Sequence, residues 1–228
     1  VPQLTKYNAV IFDLDGTLIQ SKIDYEEMRR RVIEIISEMG VSIEGISQSR
    51  KIWEIIQGSE RVFNEIGIKK EAKEMISRRI NEALNEIELS SLETVEPTRN
   101  SEEMLRALRS EGFKIGVATR GCKKYALCSL KKTGLKGYVD AILARDEVEH
   151  PKPDPRHLIE VAKALECPLN RVVYIGDTTT DLSTAQGAGV TFVGFFRKDE
   201  WGKRLKEAGC RVFVEDLLEL VDIVKSLD

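Results

Sequence analysis

The 228-residue sequence has no apolar run long enough to cross a bilayer, no Cys-x-x-Cys pair among its four cysteines, and little net charge of either sign. Each absence removes a class. A membrane-spanning helix needs about 20 consecutive apolar residues, so none is expected. Cys122, Cys128, Cys167 and Cys210 do not form a zinc-site spacing, and a chain of this size needs no disulfide framework, so reduced thiols are expected. A formal charge of −3 gives no general reason for a nucleic-acid partner, although a local basic pocket can still receive a small anion. The opening VPQLTKYNAVIFD has no basic flank ahead of an apolar leader core, and the expected location is cytoplasmic.

What is present divides by period. With 42% hydrophobic residues the chain can bury a core and carry a modest insertion. NAVIFD reads as a strand; from residue 24 onward Met28, Val32, Ile35, Ile36 and Met39 recur at helical spacing, with Asp24 and Glu27 as a capping-box-like start. SRKIWEIIQG and ERVFNEIG suggest two shorter helices, and Met75, Ile76, Ile80, Ala83, Leu84 and Ile87 a long one. Beyond Pro97 the style changes again. Asn100 is placed to cap a helix through Met104, Leu105 and Leu108, and strands FKIGVAT, AILA, RVVYIGD, VTFVGF and RVFV alternate with helices to the end. Such alternation predicts an α/β protein: a Rossmann-like three-layer α/β/α core with a mostly parallel sheet. Residues 1–19 and 95–228 are the expected core, and residues 20–94 an inserted all-helical cap domain.

Loops at the carboxyl ends of parallel strands gather distant residues into one crevice. Here they carry Asp13 and Asp15, then Thr119, then Asp177 and Asp181. Taken alone, DLDG fits an ordinary turn as well as a site. A second acidic loop, GDTTTD, changes the balance, because clustered carboxylates repel and their burial requires protonation or a compensating cation. Their hard oxygens suit magnesium. Lys152 in HPKPDP is either an exposed loop lysine or a fixed charge facing that cluster, and Thr119 either caps the next helix or binds phosphate oxygens.

DLDGT at 13–17, VATRG at 117–121, KP at 152–153 and GDTTTD at 176–181 occur in an order that resembles the haloacid dehalogenase superfamily, in its phosphatase branch with a helical cap. The C-terminal GVTFVGFF and LKEAGCRVFVEDLLEL also resemble phosphoglycolate phosphatases. The resemblance implies that Asp13 attacks phosphorus to form an aspartyl-phosphate, and that Asp15 protonates the leaving oxygen and then activates water. It further implies Mg2+ on Asp13, the Asp15 backbone carbonyl and Asp177, with Asp181 and Thr17 in support. Thr119 and Gly121 would cradle phosphate and Lys152 would oppose the growing charge. Arg120 stands where asparagine is frequent, and either faces solvent or reaches a second anionic group of the substrate.

The function expected is therefore magnesium-dependent phosphomonoester hydrolysis of a small phosphorylated metabolite, with 2-phosphoglycolate the first candidate. The alternatives are a sugar phosphomutase on the same scaffold and a non-catalytic, phosphate-responsive binding protein. Cap hinges are expected near residues 19–22 and 94–98, and closure would exclude water during the reaction. Arg50 and Lys51 precede an apolar patch of Ile52, Trp53, Ile55 and Ile56, read as a solvated helix face with a packed opposite side. A monomer is expected, with a dimer through apolar cap residues as the alternative, and no nucleic-acid or membrane partner.

Overall fold

The computed structural model describes residues 6–40, 48–49, 51–196 and 200–227. They divide into two compact units, one of residues 1–21 with 92–228 and one of residues 22–91.

The first unit is a Rossmann-like α/β core. Its strand β1 (Ala9–Phe12) is followed by a two-residue strand β2 (Ile19–Gln20). After the helical unit, β3 (Glu96–Pro97) pairs antiparallel with β2 to form a short two-stranded ribbon within the first unit. Gln20 Nε2 adds a 2.9 Å hydrogen bond to Thr98 Oγ1. Then come α4 (Ser101–Ser110), β4 (Lys114–Ala118), α5 (Lys123–Lys132), β5 (Ala141–Leu143), α6 (Arg156–Ala164), β6 (Val172–Gly176), α7 (Thr179–Ala188), β7 (Thr191–Phe195), α8 (Glu200–Glu207), β8 (Phe213–Val214) and α9 (Leu220–Ser226).

The six longer-range strands form one parallel sheet in the order β5-β4-β1-β6-β7-β8. Every residue of β1 is buried, which an AVIF run achieves only when helices cover both faces of the sheet. On one face Leu158, Val161 and Ala162 of α6 pack with Ile11 and Tyr174. The chain runs outward from β1 to one edge and then returns to the other side through β6. The carboxyl ends of β1, β4 and β6, where that reversal occurs, are where a crevice opens in such sheets.

The second unit holds α1 (Tyr25–Ser37), α2 (Ile52–Glu65) and α3 (Lys70–Ser90) around Met28, Val32, Ile36, Ile55, Phe63 and Ile80. Asp24 caps α1 by accepting from the Glu27 N–H at 2.8 Å. Three local readings are corrected. The two short helices expected around Gly58 are one continuous α2, because Ile55, Ser59 and Phe63 keep a single i, i+4 face buried through the glycine. Met75 is 42% exposed, since it precedes the buried stripe of Ile76, Ile80, Ala83, Leu84 and Ile87 by about 100° of helix rotation. Asn100 begins α4 with φ of 64° but makes no side-chain cap; its amide donates instead to both Asp216 oxygens, at 2.8 and 2.9 Å. Of the cap patch, Ile55 is buried, Lys51 Nζ lies 5.7 Å from the Trp53 ring centroid, and Arg50 lies outside the described residues. No helix among the described residues is long and apolar enough to cross a membrane.

Candidate active site

Asp13 directly follows β1, and its backbone N–H donates to the Ile175 carbonyl of β6 at 2.8 Å. The strand register therefore sets Asp13 beside the loop that carries Asp177. Gly16 turns the chain back with φ of +87°, and a Cβ there would overlap the Asp177 carboxylate. Only glycine satisfies both demands at once. Thr17 Oγ1, fully buried, donates to Asp177 Oδ1 at 3.3 Å.

The acidic loop after β6 is shaped by its own sequence. Thr178 begins α7 with a capping box: the Asp181 N–H donates to Thr178 Oγ1 at 3.2 Å, and the Thr178 N–H donates to Asp181 Oδ2 at 3.1 Å. This turns Asp181 inward against Gly176, where a Cβ would fall 2.5 Å from the Asp181 Cβ. Carboxylate oxygens of Asp13, Asp177 and Asp181 come within 4.8 Å of one another, all buried.

One ammonium enters that group. Lys152 Nζ donates to Asp13 Oδ1 at 2.6 Å, Asp181 Oδ1 at 2.7 Å and the Tyr174 hydroxyl at 2.8 Å, which accounts for its three N–H bonds. Tyr174 in turn donates to Asp181 Oδ1 at 2.6 Å. Burial pushes the Asp13 carboxyl up to about 7 against the pull of Lys152, and Asp181 and Asp15 add to the rise. Burial would raise Asp181 too, but the Lys152 charge and the hydrogen bonds from Lys152, Thr178 and Tyr174 hold it below the ordinary carboxylate range. Burial alone would lower the Lys152 ammonium, and the charges of Asp13 and Asp181 outweigh it and raise it.

Three buried carboxylates around one ammonium leave uncompensated negative charge, and their oxygens are the donors a small hard dication takes. The donor set fits magnesium. Side-chain oxygens of Asp13 and Asp177 belong to the close group, and so do those of Asp181, whereas Asp15 does not contribute its carboxylate to it.

Thr119 follows β4 and is buried; it does not cap α5, whose N-cap is Cys122. Its Oγ1 accepts the Gly121 N–H at 3.0 Å, closing a tight turn in which the hydroxyl keeps its own proton to donate. The turn is held from β5 onward: the Arg145 N–H donates to the Gly121 carbonyl at 3.2 Å, and Arg145 Nη1 to the Arg120 carbonyl at 2.6 Å. Arg120 itself is half-buried.

Four contributors to the site carry no motif signal. Tyr174 reads as one more strand residue, and Ser21 and Tyr125 as a linker and a helix residue, yet both donate to Asp15 Oδ1, at 2.8 and 2.6 Å. His157 reads as part of an amphipathic helix. Its Nδ1 accepts the Lys152 backbone N–H at 3.2 Å, so the ring proton is on Nε2 and donates to the Leu143 carbonyl at 3.0 Å. It ties the lysine loop to the end of β5.

Burial, and then the nearby Lys152 charge, lower the His157 pKa to about 4. The folded state therefore refuses a proton that the unfolded state accepts below an ordinary value of about 6.5, and stability falls as pH drops through that window. The expected loss between about pH 7 and pH 5 is roughly 2 kcal/mol. It is read as the difference between the urea-unfolding free energies of wild type and His157→Asn at the two pH values, in which contributions of other groups cancel. Equal pH dependence in both proteins would refute the assignment.

A family model described as haloacid dehalogenase-like hydrolase matches residues 10–195, which spans every residue of the site just described. The chain belongs to that family. A phosphoglycolate phosphatase of Cereibacter sphaeroides is 30% identical to this haloacid dehalogenase-like hydrolase over 82% of the chain and 84% of the relative. A phosphorylated carbohydrates phosphatase of Thermotoga maritima is 27% identical over 96% and 99%. Among solved structures, a Thermotoga maritima protein assigned as a beta-phosphoglucomutase has a TM-score of 0.62 at 26% identity, covering 97% of this chain and all of the other. The names agree on phosphoryl transfer and differ in substrate.

Proposed function

We propose that this haloacid dehalogenase-like hydrolase is a magnesium-dependent phosphomonoesterase of a small phosphorylated metabolite, working through an aspartyl-phosphate on Asp13. The observation that carries the reading is the Lys152 ammonium shared by Asp13 and Asp181 beside Asp177, a buried group with more negative than positive charge. Asp13, the Asp15 backbone carbonyl and Asp177 would hold the ion, which supplies positive charge against the phosphoryl oxygens.

The steps on this chain's own residues follow from that placement. Lys152 pulls Asp13 toward its ionised form, in which an Asp13 oxygen bonds to phosphorus as the ester oxygen leaves with a proton from Asp15. Asp15 then takes a proton from water, which attacks the same phosphorus and releases phosphate and free Asp13. Because Lys152 spends its three N–H bonds on Asp13, Asp181 and Tyr174, it opposes the charge of the transition state mainly through Asp13. Thr119 and the backbone of the Arg120–Gly121 turn would receive the remaining phosphoryl oxygens, with Arg120 available to a second anionic group. Residues 22–91 are proposed to serve as the substrate-selecting helical cap.

The likeness to a protein assigned as a phosphoglucomutase supports a second reading, since an aspartyl-phosphate can pass to a second hydroxyl as well as to water. One screen separates the two. With 2-phosphoglycolate, sugar phosphates, nucleotides, pyrophosphate and a generic aryl phosphate, free phosphate is expected to accumulate from at least one metabolite, and chelation to slow it by about 100-fold or more, reversibly on adding magnesium. Accumulation of a sugar bisphosphate with little free phosphate would transfer the conclusion to the mutase. Tight binding of one ligand without any turnover would leave a phosphate-responsive binding protein.

A further inference from the structure

Two hydroxyls from separate segments converge on one oxygen of Asp15. Ser21 Oγ donates to Oδ1 at 2.8 Å and the Tyr125 hydroxyl at 2.6 Å. Tyr125 is fully buried on α5, the helix that leaves the Thr119–Gly121 turn. Its ring lies against that turn, since a Cβ added at Gly121 would come 2.9 Å from Tyr125 Cδ1. The tyrosine is thus fixed by the proposed phosphate loop at its ring and by Asp15 at its hydroxyl.

We propose that Tyr125, assisted by Ser21, is a positioning residue that sets the direction in which the Asp15 carboxyl exchanges its proton. This rests on the phosphatase reading and on Asp15 as its acid and base. A carboxyl on a rotatable bond can present either oxygen, and a proton delivered off-line is wasted. Two donors on Oδ1 hold the group in one rotamer, and the rigid ring transmits the position of the phosphate loop to it. Burial, followed by the Asp15 charge, pushes the phenol pKa up, so Tyr125 remains a donor.

The test uses leaving groups. An alkyl phosphate leaves poorly and needs the Asp15 proton, whereas a nitrophenyl phosphate leaves well without it, and kcat/KM covers only the steps through cleavage of the ester. In Tyr125→Phe, kcat/KM for the alkyl phosphate is expected to fall by about 10- to 100-fold and that for the nitrophenyl ester by less than about threefold. Ser21→Ala should give the same split with a smaller factor, and it carries the test if the tyrosine variant does not fold. Asp15→Asn sets the upper limit. A purely structural role lowers both substrates equally, and an equal fall, or no fall, overturns the proposal. Absence of the split in Asp15→Asn would instead refute the acid role of Asp15, and absence of wild-type turnover the phosphatase reading, and each removes the proposal with it.

Discussion

Asp13→Asn is expected to lower turnover by about 10,000-fold or more and to leave a protein that unfolds within a few degrees of wild type. The replacement has the same shape, and its amide oxygen can still accept the Lys152 ammonium that donates at 2.6 Å in the wild type. What disappears is an ionised oxygen able to bond to phosphorus. The backbone of residue 13 remains pinned to the Ile175 carbonyl, so the loop has no reason to move. Acid-quenched protein incubated with phosphate-labelled substrate should carry covalent label in the wild type and none in the variant. Label retained in Asp13→Asn would place the nucleophile elsewhere; turnover within about tenfold of wild type would remove the covalent mechanism altogether.

That outcome bears on how much of the site a sequence can express. AVIF, KIGVA and VVYIG are legible as strands because a parallel sheet covered on both faces demands unbroken apolar runs, and their alternation with amphipathic helices implies the crevice at their carboxyl ends. Acids and a threonine just beyond such runs are then conspicuous. Tyr125 and Tyr174 are not, for a definite reason. Hydrophobic periodicity reports where a side chain's body goes, and a tyrosine fills a core position while its hydroxyl reaches a carboxylate from another segment. His157 hides in the same way inside α6. The Asn100 reading failed because the residue meets Asp216, 116 positions later, and that contact outcompetes the local cap. Continuity of α2 through Gly58 is likewise decided by packing of Ile55 and Phe63, which outweighs a glycine cost of about 1 kcal/mol.

Lys152→Met should strongly destabilise the folded state. The ammonium is 2% exposed and stands between Asp13 and Asp181, so its loss leaves two buried carboxyl groups without their shared partner. Breaking a buried charge network from one side typically costs about 3–5 kcal/mol. Turnover is expected to drop by about a thousandfold or more, because Asp13 loses the charge that favours its ionised form and opposes the growing negative charge at phosphorus. Instability could by itself produce such a loss, and a second variant separates the causes. In Lys152→Met/Asp181→Asn one of the stranded carboxylates becomes a neutral amide whose oxygen can still accept from Tyr174, which donates to Asp181 Oδ1 at 2.6 Å, while its NH2 replaces the oxygen that accepts from Thr178 and can donate to the Thr178 hydroxyl instead. Urea unfolding with chelator present should show the double variant recovering about 2 kcal/mol or more relative to Lys152→Met, a coupling too large for side chains that do not interact. Activity should not recover with it, since Asp13 still faces no ammonium. If stability and turnover return together, Lys152 serves the fold alone; if the single variant is as stable as wild type, the buried carboxyl groups are already neutral without it, and the attack by an ionised Asp13 loses its basis.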